Sequence, residues 1–145
     1  MEIHFVFDKE EPVDTFINLI KKYSFDSRDG LNVIMLGLDA YEVGDDNRLI
    51  HQLERQLDID LALLDYWNIE THDKYIPIHV IKNVLEITKN RITQQPQFYE
   101  NIQYDFNTTK QYLQRQFLND INFLIERLRM NQHNGAQKVK YSVEG

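Results

Sequence analysis

The chain contains no cysteine, and both proline and glycine are scarce among its 145 residues. Without thiols, the protein has no disulfide bonds, thiolate metal sites or cysteine nucleophiles, and we expect it to be cytoplasmic. With 5 glycines and 3 prolines, the sequence contains neither a flexible linker nor a glycine-rich phosphate-binding loop. It therefore predicts a single domain over residues 1–145 and argues against a nucleotide site.

Long apolar segments are also missing. The longest such run, residues 33–38, is far shorter than the roughly 20 residues that a membrane-spanning helix requires. Residues 1–5 lack the basic start and the apolar stretch of a secretory signal. The sequence therefore predicts a soluble protein that does not cross a membrane.

Charge is distributed unevenly within a net value of −7. Residues 1–75 hold 17 acids and 7 bases, whereas residues 76–145 hold 6 acids and 9 bases. Nucleic-acid binding needs clustered Lys and Arg for the phosphates, so this composition disfavours it. The acidic excess favours a basic protein partner or serves solubility.

Apolar residues at every second position predict a strand at each end of the chain. They are Ile3, Phe5 and Phe7 at the start, and Val139, Tyr141 and Val143 at the end. Residues 31–38 form an almost wholly apolar run, which is typical of a strand buried on both faces. With a helix before this run, the first part of the chain predicts a right-handed parallel β-α-β unit.

Apolar residues at helical spacing predict four longer helices, over about residues 12–23, 48–57, 77–92 and 109–132. Residues 58–67 fit neither period, and a short helix is the preferred interpretation there. A second short helix is expected in the aromatic stretch 98–106. The predicted fold is a helix-rich α+β domain: a small mixed sheet of about three strands covered by four to five helices.

Two aspartates follow predicted strands and suggest one possible catalytic centre. Asp8 and Asp39 both stand where a strand pattern ends, and parallel strands would bring their carboxylates to one edge of the sheet. Such a pair is the start of a magnesium-dependent hydrolase or nuclease. No third acidic ligand can be placed, so a small metal-dependent hydrolase is only an alternative.

Metal-ligating residue types also occur in Glu70-Thr71-His72-Asp73 and at His79. Their spacing matches neither a metalloprotease helix nor a zinc finger, and an exposed polar loop explains them more simply. No Gly-x-Ser-x-Gly nucleophile elbow occurs in the sequence. The sequence therefore predicts no catalytic residues, metal or cofactor.

The most informative feature is the acidic stretch from Asp39 to Asp73, which holds ten acids against two bases and contains the only tryptophan. Aromatic side chains anchor protein interfaces, and a field of one sign steers a partner of opposite charge. We expect a non-enzymatic protein-binding domain that masks a basic partner, as bacterial immunity proteins mask nuclease toxins; this analogy rests on charge and size alone. The predicted contact residues are Asp45, Asp46, Asp58, Asp60, Asp65, Tyr66, Trp67, Glu70 and Asp73.

Two simpler interpretations stand beside this hypothesis. The acids can be the solvated faces of helices, with Trp67 in the core. Alternatively, the chain can be a subunit of a homo-oligomer that uses the apolar stripe of residues 109–132 as its interface. The sequence leaves these possibilities open.

Overall fold

A computed structural model describes residues 2–26, 30–37, 47–103 and 107–144. Within these ranges the chain forms three strands and six α-helices. The strands are β1 (Glu2–Phe7), β2 (Ile76–Pro77) and β3 (Lys138–Glu144). The helices are α1 (Val13–Tyr23), α2 (Leu31–Leu36), α3 (Leu49–Leu57), α4 (Ile78–Gln94), α5 (Asn107–Arg115) and α6 (Phe117–His133). Single 3-10 turns occur at Ala62–Leu64 and Phe98–Asn101.

The sheet is antiparallel, with β3 between β1 and β2. The register places Ile3, Phe5 and Phe7 opposite Val143, Tyr141 and Val139. Side chains alternate between the two faces of a strand, so these six residues share the face that packs on the core. The helix-rich α+β class, the small three-stranded sheet and the returning C-terminal strand are therefore confirmed.

Helix α6 packs against both α4 and α1, and its Arg127 side chain lies over the rings of Phe5 and Phe7 on β1. Leu85 on α4 and Ile121, Phe123 and Leu128 on α6 are among the most deeply buried side chains. The predicted helix over 109–132 is divided in two, because Gln116 adopts φ −120° and ψ −24° between α5 and α6. Helix α5 thus ends at Arg115, and α6 is the part that packs on α4 and α1.

The strand predicted over residues 31–38 is wrong: residues 31–36 form α2. Gly37 ends this helix at φ 67°, and its N–H is directed at the carbonyls of Val33 and Ile34. Five of the six residues of α2 are buried, so the helix has no polar stripe and its sequence resembles a buried strand. The described part of the chain therefore contains no parallel β-α-β unit, and its sheet is antiparallel rather than mixed.

The side chain of Asn32 on α2 shields the outer edge of β1. Its Oδ1 accepts a hydrogen bond from the backbone N–H of Ile3 at 2.7 Å. A backbone donor on an edge strand is therefore satisfied by a helix rather than by a further strand. No helix in the described ranges is both long enough and apolar enough to span a membrane.

Candidate functional site

The segment between α3 and β2, residues 58–75, contains most of the predicted contact residues; we call it the Trp67 loop. It has no long regular element, and a 3-10 turn at Ala62–Leu64 is followed by hydrogen-bonded turns. Leu61 and Leu64 are buried and anchor the loop in the core. The short helix preferred from the sequence for residues 58–67 is thus reduced to one 3-10 turn.

The amide of Asn68 ties the two arms of the Trp67 loop together. Its Nδ2 donates to the carbonyl of Ala62 at 3.0 Å, and its Oδ1 accepts from the backbone N–H of Glu70 at 3.1 Å. Its own carbonyl accepts from the backbone N–H of His72 at 2.7 Å. One side chain thereby replaces the hydrogen bonds that a helix or strand would provide.

A nearly buried ion pair fixes the base of the loop. The guanidinium of Arg48 donates to both oxygens of Asp65, at 3.0 and 2.9 Å. Asp65 is only 9% exposed, and its Oδ1 also accepts from the backbone N–H of Trp67 at 3.0 Å. Asp65 therefore holds the loop in shape and, contrary to the expectation for a contact residue, presents no free charge to a partner.

Trp67 lies at the surface and is 51% exposed. Its indole N–H donates to the carbonyl of Leu36 at 2.7 Å, and the backbone N–H of Tyr66 donates to the carbonyl of Met35 at 3.0 Å. The loop thus supplies donors for the last carbonyls of α2, which have no partners within that helix. The alternative that Trp67 belongs to the core does not hold.

Three rings cluster at this point. The Tyr66 ring lies edge to face with Trp67 and with His72, at centroid distances of 4.9 and 4.8 Å. The rings of Trp67 and His72 are nearly parallel, at 14° and 6.0 Å. Because His72 Nδ1 lies 2.9 Å from the carbonyl of Tyr66, this nitrogen carries the proton and donates. The indole is therefore restrained by its neighbours as well as by its own hydrogen bond.

Four exposed acids belong to the Trp67 loop: Asp58, Asp60, Glu70 and Asp73. Asp60 Oδ1 accepts from the backbone N–H of Ala62 at 2.9 Å, so this residue also stabilises the turn. Asp58 and Asp73 adopt positive φ, at 52° and 55°, a conformation that Asp and Asn tolerate better than most residues. Against these acids the loop has one base, the exposed Lys74.

The structure adds apolar residues to this surface that the sequence patterns did not single out. Ile69 is 86% exposed and Tyr75 is 44% exposed. The Lys140 ammonium lies 5.2 Å from the centre of the Tyr75 ring and 4.0 Å from Asp73 Oδ1. Ile69 lies between Asn68 and Glu70 and belongs to no helical or strand-like apolar pattern. An apolar residue outside any such pattern has no predicted place in the core, and this was the sequence signal that it could be exposed.

Two predicted contact residues, Asp45 and Asp46, lie outside the described residues. Of the others, Asp58, Asp60, Trp67, Glu70 and Asp73 are exposed, Tyr66 is partly buried and Asp65 is buried. The Trp67 loop therefore brings together exposed acids and exposed apolar side chains at one end of α2 and α3.

Among the described residues β1 pairs with β3 alone, and because this pairing is antiparallel, the parallel-strand geometry that suggested a metal site at Asp8 is absent. Asp8 Oδ1 accepts from the backbone N–H groups of Gln137 and Lys138 at 2.9 and 3.1 Å. These donors hold the pKa of the Asp8 carboxyl below its usual value. Asp8 thus organises the start of β3, while Asp39 lies outside the described residues.

The other candidate ligands, His72 and His79, are exposed and belong to different elements. His79 lies in the first turn of α4, whereas His72 Nδ1 is bonded to the carbonyl of Tyr66. Over the part of the chain that is described, no group of three or more His, Asp or Glu side chains could hold a metal ion.

A cavity of roughly 460 Å³ lies beside α5, away from the Trp67 loop; Ser24, Tyr112, Arg115 and Asp120 are among its lining residues. The Tyr112 hydroxyl donates to Asp120 Oδ2 at 2.7 Å, so these two buried polar groups are hydrogen-bonded to each other. None of the predicted contact residues that the structure describes lines the cavity.

The apolar stripe proposed as a subunit interface is occupied within the chain itself. Residues of α6 such as Ile121, Leu124 and Leu128 are buried, and the helix packs on α4 and α1. The apolar face of α6 is therefore part of the protein's own core.

Comparison with known proteins gives no significant match to protein-family models, to curated proteins or to solved structures. A function for the chain is therefore inferred from its geometry.

Proposed function

We propose that the protein binds a basic protein partner through the Trp67 loop and acts by masking it, without catalysis. The observation that supports this most is the position of Trp67: a large aromatic side chain, half exposed, held by the hydrogen bond of its indole N–H and located in a loop with four exposed acids. Tryptophan and tyrosine dominate the binding energy of protein interfaces because they bury large areas with little loss of rotamer freedom. The loop offers both residue types.

The restraints on the loop favour binding. The Arg48–Asp65 pair, the Asn68 amide and the indole N–H bond to Leu36 fix the backbone and the ring before any partner arrives. Ordering of flexible groups is one of the main costs of association, and it is reduced for a surface that is already ordered. The exposed side chains of Trp67 and Ile69 can then be buried against the partner with little loss of conformational entropy.

The exposed acids determine the type of partner. Asp58, Asp60, Glu70 and Asp73 belong to the same loop as the exposed apolar residues, and Lys74 is the one base within it. Such a field accelerates encounter with a positively charged surface and disfavours an acidic one. A nucleic acid is disfavoured for the same reason, because its phosphates would meet carboxylates.

A capture experiment with two variants of equal charge tests the proposal. The loop variant neutralises the four exposed acids (Asp58→Asn, Asp60→Asn, Glu70→Gln, Asp73→Asn). Asparagine preserves the turn acceptor at 60 and tolerates positive φ at 58 and 73. The control variant neutralises four exposed acids outside the loop (Glu10→Gln, Asp14→Asn, Glu86→Gln, Glu100→Gln).

We expect one basic protein from the native cell lysate to be retained by the wild type and by the control variant, and to be lost from the loop variant. With the purified partner, the loop variant should associate about tenfold more slowly at low salt, and this difference should shrink at high salt. Equal loss of binding in both variants would show that net charge, and not the Trp67 loop, is responsible.

A further inference from the structure

We infer that Trp67 is the platform on which an arginine side chain of the partner stacks, an inference that rests on the function proposed above. It names the chemical group that the loop recognises. The indole keeps exposed aromatic surface after its contacts within the protein, and four exposed acids belong to the same loop.

The polar edge of the indole is already engaged. Its N–H donates to the carbonyl of Leu36 at 2.7 Å, so it has no hydrogen bond to give to a partner. The half of the side chain that remains exposed therefore presents aromatic surface, and the Tyr66 ring at 4.9 Å and the nearly parallel His72 ring at 6.0 Å cover only part of the indole. An aromatic face carries negative potential and attracts cations, most strongly in tryptophan.

The surroundings reinforce this preference for a cation. Asn68 joins the arms of the loop that carry Asp60 and Glu70, through its bonds to Ala62 and to the Glu70 backbone. Carboxylates thus stand on both sides of Trp67 in the chain, and a partner carboxylate would be repelled.

Arginine fits this site better than lysine. A guanidinium is planar and weakly hydrated, so it can lie flat on an indole while its N–H groups donate to a carboxylate. A lysine ammonium is compact and strongly hydrated, and loses more hydration when it approaches a ring.

Tyr75 provides an internal comparison. It is an exposed aromatic residue of the same loop, but the Lys140 ammonium already lies 5.2 Å from the centre of its ring. This position is occupied by a cation of the protein itself, so the inference assigns the partner arginine to Trp67 and not to Tyr75.

Fluorescence can test this directly, because Trp67 is the only tryptophan in the chain. Hexa-arginine, hexa-lysine and hexa-citrulline peptides, each with a fluorescent label outside the tryptophan range, are titrated at about 10 mM salt, where the screening length is roughly 30 Å. Peptide anisotropy reports binding, and Trp67 emission of the unlabelled mixtures reports where binding occurs. Citrulline keeps the planar group and lacks the charge, whereas lysine keeps the charge and lacks the plane.

We expect hexa-arginine to bind most tightly and to change Trp67 emission in a saturable way with the same midpoint as the anisotropy. Trp67→Leu should weaken hexa-arginine binding roughly 3- to 30-fold, and Tyr75→Leu should weaken it less, because Lys140 already lies over that ring. If Trp67→Leu does not fold, the emission titration of the wild-type protein decides the question.

Different failures have different meanings. Hexa-arginine binding without any change in Trp67 emission would overturn the stacking inference and leave the proposed binding of a basic partner intact. Equal binding of hexa-lysine, or an equal loss in Tyr75→Leu, would also overturn it, because charge or general apolar area would then suffice. No binding of either cationic peptide would count against both proposals.

Discussion

Replacement of Arg127 by methionine should be among the most destabilising single changes in this protein. The Arg127 guanidinium donates to both oxygens of Glu11, at 3.0 and 2.9 Å, and lies 4.1 Å from the centre of the Phe16 ring. Asn131 Nδ2 donates to the same carboxylate at 2.6 Å. This network ties α6 to the segment before α1, which is 116 residues away in the chain.

The magnitude follows from burial. The side chains of Arg127 and Glu11 are 10% and 14% exposed, and removal of one partner from a buried ion pair costs about 3–5 kcal/mol. Methionine retains the apolar contact with Phe16, so we expect the lower end, about 3 kcal/mol. For a chain of this size this corresponds to a fall in Tm of about 6–12 °C.

Urea unfolding followed by circular dichroism measures this loss. Arg129→Met is the matched control, because Arg129 is exposed on the same helix; it should change stability by less than about 0.5 kcal/mol. The double variant Glu11→Leu/Arg127→Met should recover most of the loss, since no carboxylate then remains buried without its partner. A single variant as stable as the control, or a double variant no more stable than Arg127→Met, would refute this reasoning.

Three further changes test other parts of the structure. Gln52→Leu should cost about 2–4 kcal/mol in urea unfolding, because its buried amide exchanges two hydrogen bonds with the Gln103 backbone, at 3.0 and 2.7 Å. The Tyr23 hydroxyl donates to Glu126 and holds the pKa of that carboxyl below its usual value. The ionised Glu126 therefore stabilises the folded protein at pH values above its pKa in the unfolded chain, and this stabilisation is lost as pH falls through its pKa in the folded protein. Glu126→Gln should accordingly lose less stability than the wild type in unfolding experiments between about pH 5 and pH 3. Arg48→Met leaves Asp65 without its cation and should lower the free energy of unfolding by about 3 kcal/mol. It should also lower the fluorescence anisotropy of Trp67, and an unchanged anisotropy would show that the Arg48–Asp65 pair does not hold the loop.

The sequence predicted the fold best where periodicity was unambiguous. Both terminal strands and the helices α1, α3 and α4 lie close to the predicted positions, because each has a regular apolar pattern and a terminating signal. Residues 31–36 form a helix although a strand was predicted, because burial on almost every side removes the polar stripe that distinguishes the two. Gly37, in the left-handed conformation that ends α2, was the available sign of a helix.

The Trp67 loop was partly predictable for a related reason. Its acids and aromatic residues are neighbours in sequence, so composition alone drew attention to them. The burial of Asp65 depends on Arg48, which is 17 residues away, and the orientation of Trp67 depends on the carbonyl of Leu36, 31 residues away. No local pattern encodes these pairings, and they determine which of the predicted residues remain accessible.

The most direct test of the account is ionic quenching of Trp67 fluorescence, because its central claim is that this side chain is exposed in a negative field. Caesium and iodide quenching constants would be measured at constant, low ionic strength and divided by those of free N-acetyltryptophanamide. We predict that the normalised constant for caesium exceeds that for iodide by at least about twofold. The difference should disappear in the loop variant that lacks the four acids and persist in the matched control. Equal constants in the wild type, or stronger quenching by iodide, would contradict the proposal that the Trp67 loop attracts a basic partner.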